Sequence, residues 1–307
     1  MSNVFQMNSI GQSANRLDRL AALVRGAPPS PALREAFAAL RLEEVASSAR
    51  LAGAHLDVTE VRALLDRGRA LGGHRFEDYL TVRGYADAAA WAAQHGARRT
   101  PVTTEDLRTL HRLAVRGLSD EAGAWRTKTV PPFADGTVPP PHWLVPFETE
   151  TYVGRLALDG DAPAPLALAR AIGRLVRLQP FPNGNGRVAR LVANLLAYRR
   201  GLPPVVLDSR ARRAYAGALR AALAGDASPL ARVLGTALGR GLERLRDVIE
   251  PVGELRPLAA FAAGGPPDRL YKAAQRGRLR VVRREGRLYS TEPWVAAYAA
   301  RASPVTA

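Results

Sequence analysis

From Pro31 onward, apolar residues fall three or four positions apart over most of the chain. Leu33, Phe37, Leu40, Leu42 and Val45 make one such stripe, the spacing of a helix with one buried face. Asp57-Val-Thr-Glu60 has the form of a capping box and opens a helix carrying Val61, Leu64 and Leu65. A helix through 87–95 follows, and Thr103-Thr-Glu-Asp106 starts another that runs through Leu110 and Leu113 to Gly117. Helices are expected again over 147–158, 165–178, 186–200, 215–223 and 230–248. Alanine, leucine and arginine dominate the composition, and aromatic residues make up only 6%. Such residues favour helix, so the expected fold class is all-α, a helical bundle.

Three stretches break the pattern. Residues 1–30 look like a frayed leader ending in a Gly-Ala-Pro-Pro-Ser turn. Residues 123–146 are rich in Gly, Pro, Thr and Val, as in Thr129-Val-Pro-Pro-Phe133 and Val138-Pro-Pro-Pro-His142, which suits an extended loop or hairpin. Pro251-Val-Gly-Glu254 has the composition of a linker. The expected organisation is a leader over 1–30, a helical domain over 31–250 and a small separate domain over 255–307. The chain has no cysteine, so neither disulfides nor thiolate metal sites enter. No stretch reaches the length of a membrane span and the start lacks a signal-peptide pattern, so a cytoplasmic protein without membrane contact is expected. Homo-oligomerisation is left open.

The formal net charge is +16 and the pI about 11.2. Such a balance favours polyanionic partners. An arginine-biased genome spreading charge over solvated faces would give the same total, so the placement of the cations has to decide. Asn183-Gly-Asn-Gly-Arg-Val-Ala-Arg190 places glycines directly before a helix. There, successive backbone N–H groups can turn toward one point and the helix N-terminus adds partial positive charge. Arg187 and Arg190 lie three residues apart on nearly one face. Two guanidiniums above such a nest suit a di- or triphosphate. The bland alternative is an interhelical turn with two surface arginines. A Walker loop is excluded, because no Gly-Lys-Ser/Thr follows.

The longer string Leu178-Gln-Pro-Phe-Pro-Asn-Gly-Asn-Gly-Arg-Val-Ala-Arg190 resembles the Fic family signature, His-Pro-Phe-x-Asp-Gly-Asn-Gly-Arg-x-x-Arg. Gly123-Ala-Trp-Arg126, Val130 and Pro140-Pro141 are similar to the family's flap, and Tyr215-Ala-Gly-Ala-Leu219 to the helix after its motif. Ser48-Ala-Arg-Leu-Ala-Gly53 sits where many members carry an inhibitory Ser-x-x-x-Glu-Gly helix. The likeness covers about residues 30–245. It implies a Fic-like helical bundle with a short β-hairpin flap. Members transfer AMP from ATP to a protein hydroxyl. By resemblance, Asn183, Gly184, Asn185, Gly186, Arg187 and Arg190 hold the nucleotide, which is ATP or another nucleotide. Phe181 anchors the loop, and the flap at 127–142 registers a protein target as an added strand.

Three departures qualify the likeness. The family's general-base histidine corresponds to Gln179, and an amide has no useful basicity near neutral pH. Asn183 stands where the family often has an acid for Mg²⁺, so any magnesium is held weakly. Ala52 replaces the inhibitory glutamate of the Ser48, Ala52, Gly53 segment, which is expected to leave Arg190 free. Among the histidines, His111 is expected to be a packing residue. His142 follows the flap prolines and is the one that could approach the site, and His55, His74 and His95 belong on surfaces or turns. No His/Asp/Glu spacing argues for zinc.

Residues 255–307 hold ten Lys/Arg against three acids. A short helix over 258–263, a Gly-Pro turn, a helix from Asp268 to Arg276, a hairpin across Glu285-Gly286 and a closing helix over 294–301 resemble a winged helix-turn-helix of the excisionase or MerR type. The resemblance implies DNA contacts by Arg269, Lys272 and Arg276 on a recognition helix, with Arg278, Arg283, Arg284 and Arg287 toward phosphates. A basic packing module, or an RNA contact, is the alternative. The preferred expectation is a nucleotide-binding protein of Fic type, impaired in AMP transfer and coupled to DNA through 255–301 as a regulator. Its rivals are an active nucleotidyltransferase with a non-standard base such as His142, and a protein-interaction module.

Overall fold

The computed structural model describes residues 15–98, 100–207, 212–262 and 268–302. They fall into two compact units. One comprises Leu40–Gly241 with the described residues before Leu20, and the other Leu20–Ala39 with Leu242–Ala307. The structure is all-α apart from one small sheet.

Helix α1 covers 15–26 and buries Leu17, Ala21 and Val24, four and three positions apart. The leader expected over 1–30 is therefore helical in its second half, because Leu17, Ala21 and Val24 already form an apolar stripe before the Pro28-Pro29 break. Its first fourteen residues lie outside the described ones. Then follow α2 (Pro31–Leu51), α3 (Val58–Arg67), α4 (Phe76–Arg98) and α5 (Thr104–Ala114). The two capping boxes form. Asp57 accepts from the Glu60 amide at 2.8 Å and Thr103 accepts from the Asp106 amide at 3.2 Å, with both acids returning the bond to the cap residue. Gly68, in the left-handed region, closes α3.

Helices α6 (Val145–Leu158), α7 (Ala164–Leu178), α8 (Asn185–Arg199), α9 (Arg212–Leu223) and α10 (Ser228–Ile249) complete the bundle. Helix α8 is its centre. It packs against α4, α5 and α7, and most of its circumference is buried, from Val188 and Ala189 through Leu191, Val192, Ala193 and Leu195. A helix apolar all round belongs in a core rather than on a surface. Its approach to α4 depends on Gly96, where an added Cβ would lie 2.6 Å from the Tyr198 Cβ and 2.8 Å from the Leu195 carbonyl oxygen.

The flap segment before α6 contains no strand. It doubles back at one turn, where the Phe133 N–H donates to Thr137 O at 2.8 Å and the Gly136 N–H to Phe133 O at 2.9 Å. The expected hairpin shrinks to that turn because Pro131, Pro132, Pro139, Pro140 and Pro141 offer no N–H for a ladder.

The C-terminal part of the second unit contains β1 (Arg256–Pro257), a 3-10 turn (Leu258–Phe261), α11 (Asp268–Gln275), β2 (Val282–Arg284), β3 (Arg287–Ser290) and α12 (Glu292–Ala302). The sheet order is β1-β3-β2, antiparallel throughout, with Arg256 opposite Ser290 and Val282 opposite Tyr289. Glu285 and Gly286 both take positive φ, at 49° and 78°, as a two-residue I′ turn demands. Leu258, Ala273 and Leu279 form a small core, covered by Leu270, Leu288, Val295 and Tyr298.

Gly96→Ala gains about 1 kcal/mol of helix propensity but overpacks the α4–α8 contact. Urea unfolding is expected to show a net loss of about 1–3 kcal/mol. Unchanged stability would mean that the two helices part without cost.

Candidate anion-binding site

Helix α7 ends at Gln179, which adopts the left-handed conformation (φ 48°, ψ 58°). The following proline disfavours continuation of the helix. A non-glycine residue held there costs on the order of 1 kcal/mol or more, and Arg126 supplies the restraint. Its Nε donates to the Gln179 carbonyl at 2.6 Å, while its own N–H donates to the Pro180 carbonyl at 3.0 Å. Its two terminal nitrogens donate to the Lys128 carbonyl at 3.0 Å and to the Pro140 carbonyl. Arg126 is only 3% exposed. One buried guanidinium thus joins both ends of the flap to the head of the loop, a role that Gly123-Ala-Trp-Arg126 did not disclose as sequence.

Gly184 then turns the chain into α8 at φ 68°. A Cβ there would lie 2.8 Å from Val115 Cγ1, so both conformation and space require glycine. Phe181 is fully buried beneath the loop and stacks on His111, with centroids 3.9 Å apart and planes 10° apart. His111 accepts from the Gly123 N–H through Nδ1 at 2.8 Å, so the proton sits on Nε2. That nitrogen is buried beside Asn183, which supports it only through contacts too poorly aligned to count as a hydrogen bond. Burial, opposed by Asn183 and aided by Arg187, holds the imidazole down at about 4. His111 is therefore neutral near pH 7 and supports the loop from below.

Asn185 spends its side chain on the loop. Its amide oxygen accepts from the Phe181 N–H at 3.0 Å, and its amide nitrogen donates to the Phe181 carbonyl at 2.8 Å and to Gln179 Oε1 at 3.2 Å. What Asn185 and Gly186 retain toward a ligand is their backbone N–H groups, which have no acceptor among the described residues. Asn183 is exposed. Arg187 donates to the Ala114 carbonyl at 3.0 Å, and burial lowers its pKa from the usual arginine value.

Arg190 is not free, contrary to the expectation drawn from Ala52. It is 9% exposed; its Nε donates to Ser48 Oγ, and its Nη2 to the Ser48 carbonyl at 3.0 Å. Ala52 and Gly53 are exposed just beyond the end of α2. Replacing the glutamate does not liberate the arginine, because the last turn of the same helix offers two oxygens. A second partner lies one turn earlier. Glu44, 2% exposed, accepts from Tyr85 Oη at 2.6 Å and from Asn194 Nδ2 at 2.8 Å. Burial pushes Glu44 from 4.5 up to about 7, against the opposing pull of Tyr85, Arg190 and Asn194. Sequence reasoning passed over Glu44, Tyr85 and Asn194. The signal was present as two polar pairs at helical spacing, Glu44 with Ser48 and Arg190 with Asn194, on otherwise apolar faces.

The remaining histidines stay away from the loop's polar contacts. His55 bonds Asp78 at 3.2 Å, His74 bonds Glu60 at 3.0 Å, and His95 stacks on Trp91. His142 packs edge-on against Trp143, and its Nδ1 is buried without a partner among the described residues. No group of three His, Cys, Asp or Glu side chains is placed to hold a metal among the described residues. Asn183 offers one neutral oxygen, which does not amount to a resident cation site.

In the C-terminal part, Arg269, Lys272, Arg276, Arg278, Arg283, Arg284 and Arg287 are all exposed. Arg269, Lys272, Arg276 and Arg278 line one cavity of about 640 Å³ with Asp268 and Tyr298. Arg283 and Lys272 already face carboxylates, Glu35 at 3.9 Å and Asp268 at 4.0 Å. No helix among the described residues is long and apolar enough to cross a membrane.

Because the folded-state pKa of Glu44 lies above its unfolded value, ionising it opposes folding. The cost is absent below about pH 4.5, grows as pH rises and is complete above about pH 7. Glu44→Gln keeps an oxygen acceptor and cannot ionise. Relative to the unmodified protein, the variant should gain stability between pH 5 and pH 8 by up to about 3 kcal/mol. Denaturant melts at the two pH values check this, and a pH-independent difference would contradict it.

Residues 101–197 match the model of the Fic/DOC family. The protein adenylyltransferase Fic of Drosophila persimilis is 27% identical over 218 residues, covering 70% of this chain and 42% of the relative. That of Drosophila willistoni is 26% identical over 236 residues, covering 73% and 47%. The chain thus spans less than half the length of these curated relatives. Among solved structures, Fic-1 (residues 134–508) from C. elegans superposes with a TM-score of 0.71 at 23% identity, over 80% of this chain and 74% of that one. A Fic domain containing signaling protein from Bacteroides thetaiotaomicron gives 0.70 at 21% identity, over 78% and 97%. The loop of Gln179 to Arg190, which leads into the start of α8, lies inside the segment 101–197 that matches the Fic/DOC family model.

Proposed function

We propose that the loop from Asn183 to Arg190 binds the phosphates of ATP or a related nucleotide, and that the protein is an AMP-transferase-type Fic protein with an impaired chemical step. One observation carries the reading. The N–H groups of Asn185 and Gly186, without an acceptor among the described residues, open a helix whose first turns hold two guanidiniums, Arg187 and Arg190. Backbone donors and a helix N-terminus stabilise phosphate oxygens, and the half-buried Arg187 and the buried Arg190 lose little side-chain entropy on meeting a ligand because hydrogen bonds to the protein already hold them. Mg²⁺ would arrive with the nucleotide, since Asn183 alone cannot cage it.

In AMP transfer, a target hydroxyl oxygen attacks the α-phosphorus, the bond to the bridging oxygen breaks, pyrophosphate leaves and the hydroxyl proton must be accepted. On the family pattern that acceptor stands at 179. Gln179 can hold a hydroxyl by hydrogen bonding but cannot take its proton. The Ser48, Ala52, Gly53 segment would then act on Arg190 through Ser48 rather than through a glutamate. The flap at 127–142, tied to the loop through Arg126, is the surface offered to a protein target.

The second part of the reading is DNA binding by the C-terminal residues 255–301. It is supported by seven exposed cations, two on a helix, two in the turn after it and three on a hairpin. A duplex lying across α11 and the β2–β3 turn would meet Arg269 and Lys272 from the helix, Arg276 just past its end, where the expected helix over 268–276 stops one residue short, and Arg284 and Arg287 from the strand ends that flank the turn, with Arg278 and Arg283 beside them. Nucleotide occupancy at one site and operator binding at the other would make a regulator.

Two measurements test these statements. With ATP labelled at the α-phosphate, the unmodified protein should bind nucleotide without transferring label, and Gln179→His should raise transfer by roughly 10²–10⁴-fold. Transfer by the unmodified protein would show that another group takes the proton. For DNA, affinity for a duplex should fall with log salt concentration at a slope of about −0.9 per neutralised phosphate. Arg269→Ala/Lys272→Ala, both in α11, should make that slope shallower by about 2. An unchanged slope would remove α11 from the interface.

A further inference from the structure

A cavity of about 990 Å³ lies between α6, α7 and the α9–α10 turn, and none of residues 183–190 lines it. Its floor is apolar, from Leu166, Ala169 and Leu178, and its rim is cationic. Arg170, Arg174 and Arg177 project from one face of α7, spaced by four and three residues, and Arg155 comes from α6. Like charges at this spacing repel one another. A single carboxylate, Asp159, compensates two of them, at 2.9 Å from Arg170 and in contact with Arg174. Arg177 donates to the Leu223 carbonyl at 3.5 Å, a neutral group, and its charge reaches the flap carboxylate Asp135 without an ion pair between the two. Arg155 is exposed and has no partner among the described residues. Glu148 and Asp226 also line the cavity, so cations outnumber acids on its wall by four to two.

The cavity adjoins the flap. Val138 and Pro140 form part of its lining, and the Pro140 carbonyl is one of the oxygens held by Arg126. A chain lying along the flap would run from the head of the loop into the arginine-lined wall. We propose that this cavity receives an acidic segment of the polypeptide whose hydroxyl is presented to the loop, with the carboxylates of that segment on Arg155 and Arg177. The proposal rests on the reading of the flap as a target surface. It adds the chemistry by which a target is selected. Guanidiniums fit carboxylates bidentately, Tyr152, Leu166 and Leu178 accept an apolar side chain between the acids, and the exposed Val138 (64%) is covered when the segment binds.

Fluorescence anisotropy with a labelled glutamate-rich peptide, and with the same peptide carrying glutamines, tests this on the full chain. The glutamate peptide should bind and the glutamine peptide should not. Arg155→Gln/Arg177→Gln should weaken binding at least about tenfold, a loss in keeping with two charge contacts. Arg67→Gln/Arg69→Gln, an equal charge change at exposed positions elsewhere, should leave it within about twofold. Equal losses in both double variants, or equal binding of the two peptides, would overturn the proposal by reducing the effect to overall charge. ATP titration of the same proteins separates the two readings. Absent nucleotide binding with charge-selective peptide capture retained sinks the nucleotide reading alone. Normal nucleotide binding without peptide selectivity sinks this one.

Discussion

A guanidinium cannot be left in a helical core without compensating partners, because an isolated buried charge costs several kcal/mol. Arg190 lies in such a core, at the second turn of a helix buried on nearly every side. The compensation comes from α2, through the hydroxyl and carbonyl of Ser48, with Glu44 one turn away in a network with Tyr85 and Asn194. Three helices and the segment after α8 are linked in this way, since Asn194 also accepts from the Val205 amide. The charge that suits the loop to an anion is thus also one of the reasons that α2, α4 and α8 meet as they do.

A different economy governs the other end of the loop. Arg126 is satisfied by carbonyl oxygens of Gln179, Lys128 and Pro140. Carbonyls keep a guanidinium hydrogen-bonded without neutralising it, so its positive charge persists near the head of the loop. Burial alone lowers its pKa from the usual arginine value. The strained backbone of Gln179, the neutral His111 stacked on Phe181 and the amide clamp of Asn185 complete a support that is fixed before any ligand arrives. Preorganisation of this kind concentrates binding energy on the ligand rather than on ordering the chain.

Much of this was legible in the sequence. The helical periodicity, both capping boxes and the Gln179–Arg190 string announce themselves locally, because each depends on residues within one or two turns of each other. The Glu285-Gly286 turn is legible for the same reason. The contacts that escaped are those between elements distant along the chain. Arg126 with Gln179 and Arg190 with Ser48 are separated by 53 and 142 residues, and no local pattern fixes such a pairing. Ala52 misled for a physical reason. Ala52 suggests an unpaired arginine, whereas the last turn of α2 supplies the Ser48 hydroxyl and the Ser48 carbonyl, whose second lone pair serves Arg190 while the first takes the Ala52 N–H at 3.1 Å. The flap misled differently, as β-prone residues were offset by prolines that deny a ladder. Helix α1 is hard to read from sequence because its Leu17, Ala21, Val24 stripe spans barely two turns and stops at the Pro-rich break after it.

The bare backbone of Gly96 has a consequence at a distance. It sets how closely the C-terminal half of α8 may approach α4, through Tyr198 and Leu195. A helix transmits displacement along its axis with little compliance, and the run from Tyr198 back to Asn185 is about 20 Å at 1.5 Å per residue. The far end of that rod is the place where the amides of the loop are presented. A methyl group added at residue 96 therefore acts as a wedge under one end of a lever, and tolerance to drift at that glycine is limited by where the opposite end must point.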